Sequence, residues 1–375
     1  MERVRVGVIG AGLIAQVEHV PNLLRLKHLF ELVGICDPSA MARAAMTKRH
    51  GLAAFETPEQ LLGQKLDALL ITSPDPLHKE HALAGLKHGL HVFCEKPLCY
   101  GTGDITELIA ARDAAGRVLQ VGYMKRFDPS YEAAIAHMPG TAANLRHVSV
   151  EVSDPDAWPF VRHHDYVRSD DIAPALITAV DGKRRDQVKK AVGRVLEGES
   201  YRGFCGPCAS SLVHDVNAVH GLLDALAVPD GEVAGAQIFA NGEGGQGSVR
   251  LLGGQALWTM SHLAVPKLPD YRERITLHFD DASLELEFPS PYLNHQATRL
   301  TIKTGDDHVL DRRNIHAGFA EAFLEELKGF WSAIREGSPV RNTAEHAARD
   351  MALLTGLARW QADHATTSRT QGAAA

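Results

Sequence analysis

The β-branched run Val4–Ile9 is followed at once by Gly10-Ala11-Gly12 and then by an amphipathic stretch reaching Leu29. A strand that breaks on glycines and resumes as a helix is the opening half of a parallel crossover. The spacing Gly10-x-Gly12-x-x-Ala15 gives each small residue a separate task. Gly10 permits the tight turn, Gly12 lets the backbone approach a pyrophosphate, and Ala15 permits close helix–strand packing. Leu13 and Ile14 complete the turn, and the helix N-terminus offers unpaired N–H groups to an anion. A second strand-like run, Leu32–Cys36, ends at Asp37, at the expected distance of about 20 residues. That carboxylate can accept hydrogen bonds from a ribose 2′-hydroxyl and would repel a 2′-phosphate. Pro38 and Ser39 follow, with no nearby arginine to hold such a phosphate. The pattern predicts a dinucleotide site that takes NAD in preference to NADP.

The alternation continues. Leu66–Thr72, His91–Phe93 and Val118–Val121 are further apolar runs, and His78–His88 and Ile105–Ala115 carry helical periodicity between them. Strand–helix alternation needs crossovers and gives a parallel sheet covered on both faces. Residues 1–125 are therefore expected to form a doubly wound (Rossmann) α/β domain. Beyond Asn144 the pattern changes to strand-like runs at Leu145–Val152, Val233–Ala240, Ser248–Leu252, Ala256–Met260, Arg274–Phe279, Ser283–Phe288 and Arg299–Lys303. Short turns such as Asp280-Asp281 and Gly253-Gly254 suit hairpins. With a helix at Ser211–Leu226 and a final helical region, Ala317–Gly337 and Ala344–Asp363, residues 126–365 read as an α+β domain with a mostly antiparallel open sheet. The small, polar tail 366–375 is expected to be disordered. A chain of 375 residues accommodates two such domains.

Composition narrows the function classes. The net charge of −7 would repel a phosphate backbone overall, so nucleic acid is not an expected partner. No apolar run approaches the ~18 residues of a membrane helix, and Val4–Ala15 reads as a strand entering a turn rather than a signal peptide. Five irregularly spaced cysteines do not make a disulfide framework, which points to the cytoplasm.

The fourth strand runs into Cys94-Glu95-Lys96-Pro97. Ligands of doubly wound sheets sit beyond the carboxyl ends of the strands, which puts Lys96 near the nicotinamide end. A partly desolvated lysine beside a cationic ring can exchange protons near neutral pH. This turn stands in a series: Ser73-Pro74-Asp75-Pro76-Leu77-His78 before it, and Gly122-Tyr123-Met124-Lys125-Arg126-Phe127-Asp128-Pro129 after it. Together with the glycine fingerprint and the C-terminal Pro339–Glu345 segment, the series resembles the glucose–fructose oxidoreductase / inositol dehydrogenase / MocA family. The resemblance implies that Ser73, Pro74, Asp75, His78 and Glu95 line the NAD site and that Lys96 hydrogen-bonds the reacting hydroxyl. It allows a cis Lys96–Pro97 bond, which proline permits. It also implies that one face of the second sheet covers the cofactor cleft while the other builds a homodimer or homotetramer.

Dehydrogenases of that family usually carry an acid four residues before a histidine on a helix facing the nicotinamide. The register that fits here puts His214 on that histidine, with Ser210 in place of the acid. Residues four apart share a helix face, so Ser210 and Asn217 are expected to reach what His214 touches, whereas Asp215 points about 100° away. His220 reads as structural. Tyr123 and Arg126 are expected in the substrate cleft. Cys205-Gly206-Pro207-Cys208 has redox or zinc spacing, but no thioredoxin pattern surrounds it, and the plainer reading puts Pro207 in the first turn of the following helix. No metal is expected. The stretch Asp154–Gly203 is longer than the family needs. Its basic helix, Lys183–Arg194, reads as a solvated face. Trp158, His163, His164 and Tyr166 are expected to shape a lid or substrate wall.

The leading expectation is an NAD-dependent oxidoreductase acting on a secondary hydroxyl of a sugar, glycoside or cyclitol, with Lys96 and His214 handling the proton. Two rivals stand beside it: an enzyme that recycles tightly held NAD to permit elimination, and a non-catalytic NAD-dependent sensor.

Overall fold

The computed structural model describes residues 2–371 apart from residue 156, with side chains described as far as residue 364. The chain divides into two compact units, and the division is discontinuous. The first holds Met1–Met124, Phe160–Ala191 and Phe323–Arg349; the second holds Lys125–Pro159, Val192–Ala322 and Asp350–Ala375.

In the first unit, strands β1 (Val4–Ile9), β2 (Phe30–Cys36), β3 (Ala53–Phe55), β4 (Ala68–Ile71), β5 (His91–Glu95) and β6 (Leu119–Gly122) form one sheet. The order is β3-β2-β1-β4-β5-β6 and every pairing is parallel. The expected doubly wound domain is present. Strand β3, which sequence reading missed, has only three residues and no β-branched side chain. Its pairing rests on Gly34, where a Cβ would lie 2.7 Å from the Ala53 carbonyl oxygen. The core is built from Val4, Val6, Val8, Ile35, Leu70 and Phe93. Leu327, Phe330 and Trp331 of the helix Ala322–Arg335 close it, so this part of the C-terminal region belongs to the first unit and not to the second domain in which its place in the sequence put it.

The second unit contains β7 (Leu145–Asp154), β8 (Glu232–Ile238), β9 (Gly244–Leu251), β10 (Ala256–Ala264), β11 (Arg272–Phe279), β12 (Ala282–Phe288), β13 (Arg299–Gly305) and β14 (Leu310–Ile315). Their order is β14-β13-β12-β11-β7-β10-β9-β8, antiparallel throughout except for β7 beside β10. Alternation is clear in β12, where Leu284, Leu286 and Phe288 are buried between more exposed neighbours. Strand β14 escaped sequence reading because Leu310-Asp311-Arg312-Arg313-Asn314 is exposed and polar, a composition that guards a sheet edge. The helix Val213–Ala225 buries Val216, Val219, Leu222 and Leu223. The last helix, Ala344–Gln371, continues past Asp363; residues 372–375 of the expected tail lie outside the described residues. Among the described residues no helix is long and apolar enough to cross a membrane.

The expectations about the basic helix of the long insertion are corrected in both extent and setting. It spans Pro174–Val192 and stops there because Gly193 takes a left-handed φ of 82°. Its cations are not simply solvated: Lys183 donates to Glu80 at 2.7 Å, Arg184 to Asp75 at 2.9 Å and Lys190 to Asp104 at 2.9 Å.

Glu326 is fully buried in the first unit, and among the described residues neither carboxyl oxygen has a hydrogen-bond partner. Burial, aided by the charge of Glu95, raises its pKa well above the usual range. Such an acid keeps its proton in the folded state where the unfolded chain has released it, so stability falls as pH rises above the ordinary glutamate range. Replacing the carboxyl with an apolar group of similar length removes that penalty. Glu326→Met is expected to raise stability by about 1–3 kcal/mol at pH 8 and by less at pH 5. Urea unfolding followed by tryptophan fluorescence at both pH values checks this.

Candidate functional site

The carboxyl edge of the parallel sheet gathers the sequence motifs of the first unit. Gly10 has a φ of 103°, and a Cβ there would lie 2.5 Å from the Thr72 carbonyl oxygen, so the turn after β1 and the turn after β4 touch only because position 10 has no side chain. At Gly12 a Cβ would meet nothing within 4 Å, so the backbone is open to a bound group. Helix geometry begins at Leu13-Ile14, passes through a short π segment at Ala15–His19 and continues as an α-helix over Val20–Arg25. Asp37 closes the turn from the other side: Ala11 N–H donates to its Oδ2 at 2.7 Å and Ser39 N–H to its Oδ1 at 2.8 Å. Burial raises the Asp37 pKa, opposed by these two amides and by the charge of Arg43.

Arg43 corrects the sequence reading that no arginine is near Asp37. One turn of the helix Ala40–His50 returns it to the strand end, where Nη1 donates to the Asp37 and Pro38 carbonyls at 2.7 and 2.9 Å.

The Glu95-Lys96-Pro97 turn is fixed from three directions. His19 Nε2 lies 2.7 Å from Glu95 Oε1, and Lys96 N–H donates to Glu95 Oε2 at 3.1 Å. His78 bridges two loops, with Nδ1 2.8 Å from the Pro97 carbonyl and Nε2 2.8 Å from the Ser73 carbonyl. The Lys96–Pro97 bond is cis. Although Glu95 is buried, its pKa is lowered, because His19, Lys96 and the Lys96 amide outweigh desolvation. Lys96 itself is partly exposed at the end of β5. Ser73 Oγ lies 2.9 Å from His81 Nδ1, and burial lowers the His81 pKa to about 4. Asp75 is held by Arg184 and by the Tyr100 hydroxyl. Tyr123 is buried, and its carbonyl accepts from Asn342 Nδ2 at 2.6 Å, which seats the Pro339–Glu345 segment beside β6. Sequence reasoning missed His19, Tyr100 and Arg184.

The second unit holds Arg126, Ser210, His214 and Asn217 among the other predicted residues. His214 is half-buried and Ser210 exposed. The helix differs from expectation, because Phe204–Leu212 is a π-helix with Pro207 inside it rather than in a first turn. A π turn pairs residues five apart, so the four-residue spacing of Ser210 and His214 no longer guarantees a shared face. Asn217 is buried, with Nδ2 donating to Asp350 at 2.8 Å, and its carbonyl accepts from Arg126 Nε and Nη2 at 3.0 and 2.6 Å. Both residues thus serve packing of the helix. His220 also binds Asp350, at 2.6 Å, the structural role expected for it. Cys205 and Cys208 are free thiols, and burial pushes Cys208 up to about 12, unsuited to thiolate chemistry. Among the described residues no group of three or more His, Cys, Asp and Glu side chains is placed to hold a metal.

The expected lid residues separate: Trp158 belongs to the second unit, whereas His163, His164 and Tyr166 belong to the first. The rings of His163 and His164 lie 4.2 Å apart, and Trp158 is 57% exposed.

A buried charge cluster lies beneath the His214 helix. Lys125 Nζ bonds Asp215 Oδ1 at 3.1 Å and also Glu273, whose other oxygen accepts from the Tyr271 hydroxyl at 2.8 Å. Burial raises the pKa of Asp215 despite Lys125. Removing the cation that compensates a buried carboxylate pair is costly. Lys125→Met is expected to destabilise the protein by about 3–5 kcal/mol, measured by urea unfolding.

Residues 4–123 match the family model described as "Oxidoreductase family, NAD-binding Rossmann fold" (GFO_IDH_MocA). Inositol 2-dehydrogenase 3 of Saccharopolyspora erythraea is 39% identical over 130 residues, which is 34% of this chain and 38% of that protein. The chain thus matches little more than a third of that relative's length. UDP-N-acetylglucosamine 3-dehydrogenase from Acidithiobacillus ferrooxidans superposes with a TM-score of 0.68 at 18% identity, covering 95% of this chain and 97% of that one. A 3-ketoreductase from Actinomadura kijaniata, in complex with NADP and TDP-benzene, gives 0.70 at 18% identity, covering 96% and 98%. These two likenesses establish the fold over nearly the whole chain.

Proposed function

Since residues 4–123 carry the NAD-binding domain of the Gfo/Idh/MocA oxidoreductase family, we propose that the protein is a nicotinamide-dependent dehydrogenase. It oxidises a secondary hydroxyl of a sugar, glycoside or cyclitol, with NAD as the preferred cofactor. The observation that carries this reading is the clamped Glu95-Lys96-Pro97 turn: the Lys96 amide is bonded to Glu95, which His19 holds, and the Pro97 carbonyl is bonded to His78, so the backbone that carries the lysine is fixed at the end of β5. The cofactor assignment is supported by the open backbone at Gly12 and by Asp37, two carboxylate oxygens aligned by amides at the end of β2. Gly10, Gly12, Leu13 and Ile14 would hold the pyrophosphate, Asp37 the adenosine ribose, and Ser73, Pro74, Asp75, His78 and Glu95 the remaining edge. When bound, the nicotinamide supplies the hydride acceptor. Lys96 holds the substrate hydroxyl and takes part in moving its proton, and His214 supplies the second acid–base group. Ser210, Trp158, His163 and His164 are assigned to substrate contact.

Reduced-nicotinamide absorbance with NAD and NADP, against hexoses, pentoses, glycosides and inositols, tests the assignment. Lys96→Ala and His214→Ala are each expected to lower kcat by about 10²-fold or more while NAD still binds. Wild-type kcat retained in Lys96→Ala would reject the role given to the turn.

One sequence feature favours a second reading, in which tightly held NAD is recycled to permit elimination: an exposed serine, Ser210, and not an acid, stands four residues before His214. A recycling enzyme would keep its cofactor through extensive dilution, whereas a dehydrogenase would release it. Assembly as a homodimer or homotetramer is assigned to the face of the second sheet that carries a cavity of about 970 Å3, lined in part by His147, Thr259, His278 and Trp360. Light scattering is expected to give a mass two or four times that of the chain, and Thr259→Arg to lower it.

A further inference from the structure

The segment 160–191 belongs to the same compact unit as the glycine turn, and its first half is tied to that turn's neighbours. Gln16 Nε2 donates to the Ala11 carbonyl at 2.7 Å and to the Val167 carbonyl at 2.9 Å, while Val167 N–H returns a bond to Gln16 Oε1 at 3.1 Å. Arg49 joins the same knot, donating to Gln16 Oε1 at 3.0 Å and pairing with Asp165 at 2.7 Å. Four residues beyond Val167, Asp171 reaches the start of the helix Ala40–His50. Its Oδ1 lies 2.5 Å from Ser39 Oγ and its Oδ2 accepts from Met41 N–H at 3.0 Å.

Ser39 is two residues beyond Asp37, and the two side chains share one turn through the Ser39 N–H bond to Asp37 Oδ1. A carboxylate at Asp37 takes ribose hydroxyls, so a phosphate on the 2′-oxygen would need donors on this same turn. Those donors are Ser39 Oγ and the first amides of the helix, an end that favours anions. Asp171 has already filled both, and it adds a second negative charge beside Asp37. Arg43 stands on the same turn, but its Nη1 is spent on the Asp37 and Pro38 carbonyls.

We propose that Asp171, delivered from 132 residues away in sequence, is a specificity-determining residue that excludes a 2′-phosphate and so selects NAD over NADP. The proposal rests on the dinucleotide reading above and adds to it a second acid that the strand-two motif does not contain. Its physical content is occupancy plus charge: an incoming phosphate must displace the carboxylate from Ser39 and Met41 and then sit beside it. Asp171 is exposed and outside the core, so replacing it leaves the fold intact.

Binding of NAD and of NADP to the full chain by titration calorimetry tests this without requiring a substrate. Wild type is expected to bind NAD more tightly than NADP. Asp171→Ala is expected to tighten NADP by on the order of tenfold, the scale of removing one close like charge at a solvent-exposed site, and to leave NAD within about twofold. Asp171→Asn separates the two components: it keeps a group on Ser39 and removes the charge, so a gain smaller than that of Asp171→Ala supports occupancy together with charge. An unchanged NADP affinity in Asp171→Ala, with NAD binding intact, overturns the role of Asp171 alone. Equal affinity of the wild type for both cofactors overturns it too. Failure of the wild type to bind either dinucleotide overturns the cofactor reading and this proposal with it.

Discussion

The first unit depends on how closely the turn after β1 approaches the turn after β4. The 2.5 Å that would separate a Cβ at position 10 from the Thr72 carbonyl oxygen is shorter than any side chain tolerates, so glycine alone lets the two strand ends meet. The strand order departs in opposite directions from β1 and β4, which leaves a crevice at their carboxyl ends. The other groups of this edge take their places from that junction. Thr72 Oγ1 bonds the carbonyls of Ile9 and Gly10, Ser73 begins the loop that His78 joins to Pro97, and Glu95 sets the backbone of Lys96.

Around this edge the charges are arranged in opposed pairs rather than as a field of one sign. Asp75 meets Arg184, Glu80 meets Lys183, and Asp104 meets both Lys79 and Lys190. Most of these pairs are partly exposed, and each contributes little alone. Together they fix the register of a 19-residue helix against the turn that follows β4 and the helices His78–Lys87 and Thr102–Ala115. Buried Val188 and the close approach of Ala191 to Gly101 add the apolar contact that exposed ion pairs lack. The segment 160–191 is therefore an integral layer of the first unit, bound at its start through Gln16, Ser39 and Arg49 and along its length through the basic helix.

Features that arise from local chemistry were legible in the sequence. The β-branched runs, the glycine spacing, the acid at the end of β2 and the Glu-Lys-Pro turn each record a constraint satisfied within a few residues. The features that escaped depend on partners distant in the chain. Three-residue β3 has no pattern of its own and exists through its pairing with Gly34 of β2. The cations of the insertion look like a solvated face until Asp75, Glu80 and Asp104 are folded beneath them. Asn217 and Arg126 look like cleft residues, yet a carboxylate 133 residues further on, Asp350, turns the asparagine inward. The π-helix at Phe204–Leu212 is equally hidden, since an i,i+4 argument presumes the α-helical turn that Pro207 interrupts.

In the second unit, the acids around the His214 helix are spent on structure. Asp215, next to His214, is fully buried and neutralised in part by Lys125, while Asp350 fixes His220 and Asn217 from the opposite side. Asp154 is similarly engaged, within 3.3 Å of Ser211 Oγ and 3.7 Å of His262. Held in this way, these carboxylates have their geometry fixed by their partners. Ser210, an alcohol, has no charge to lend in their place. These carboxylates fix the helix in place, Asp215 through Lys125 and Asp350 through Asn217 and His220.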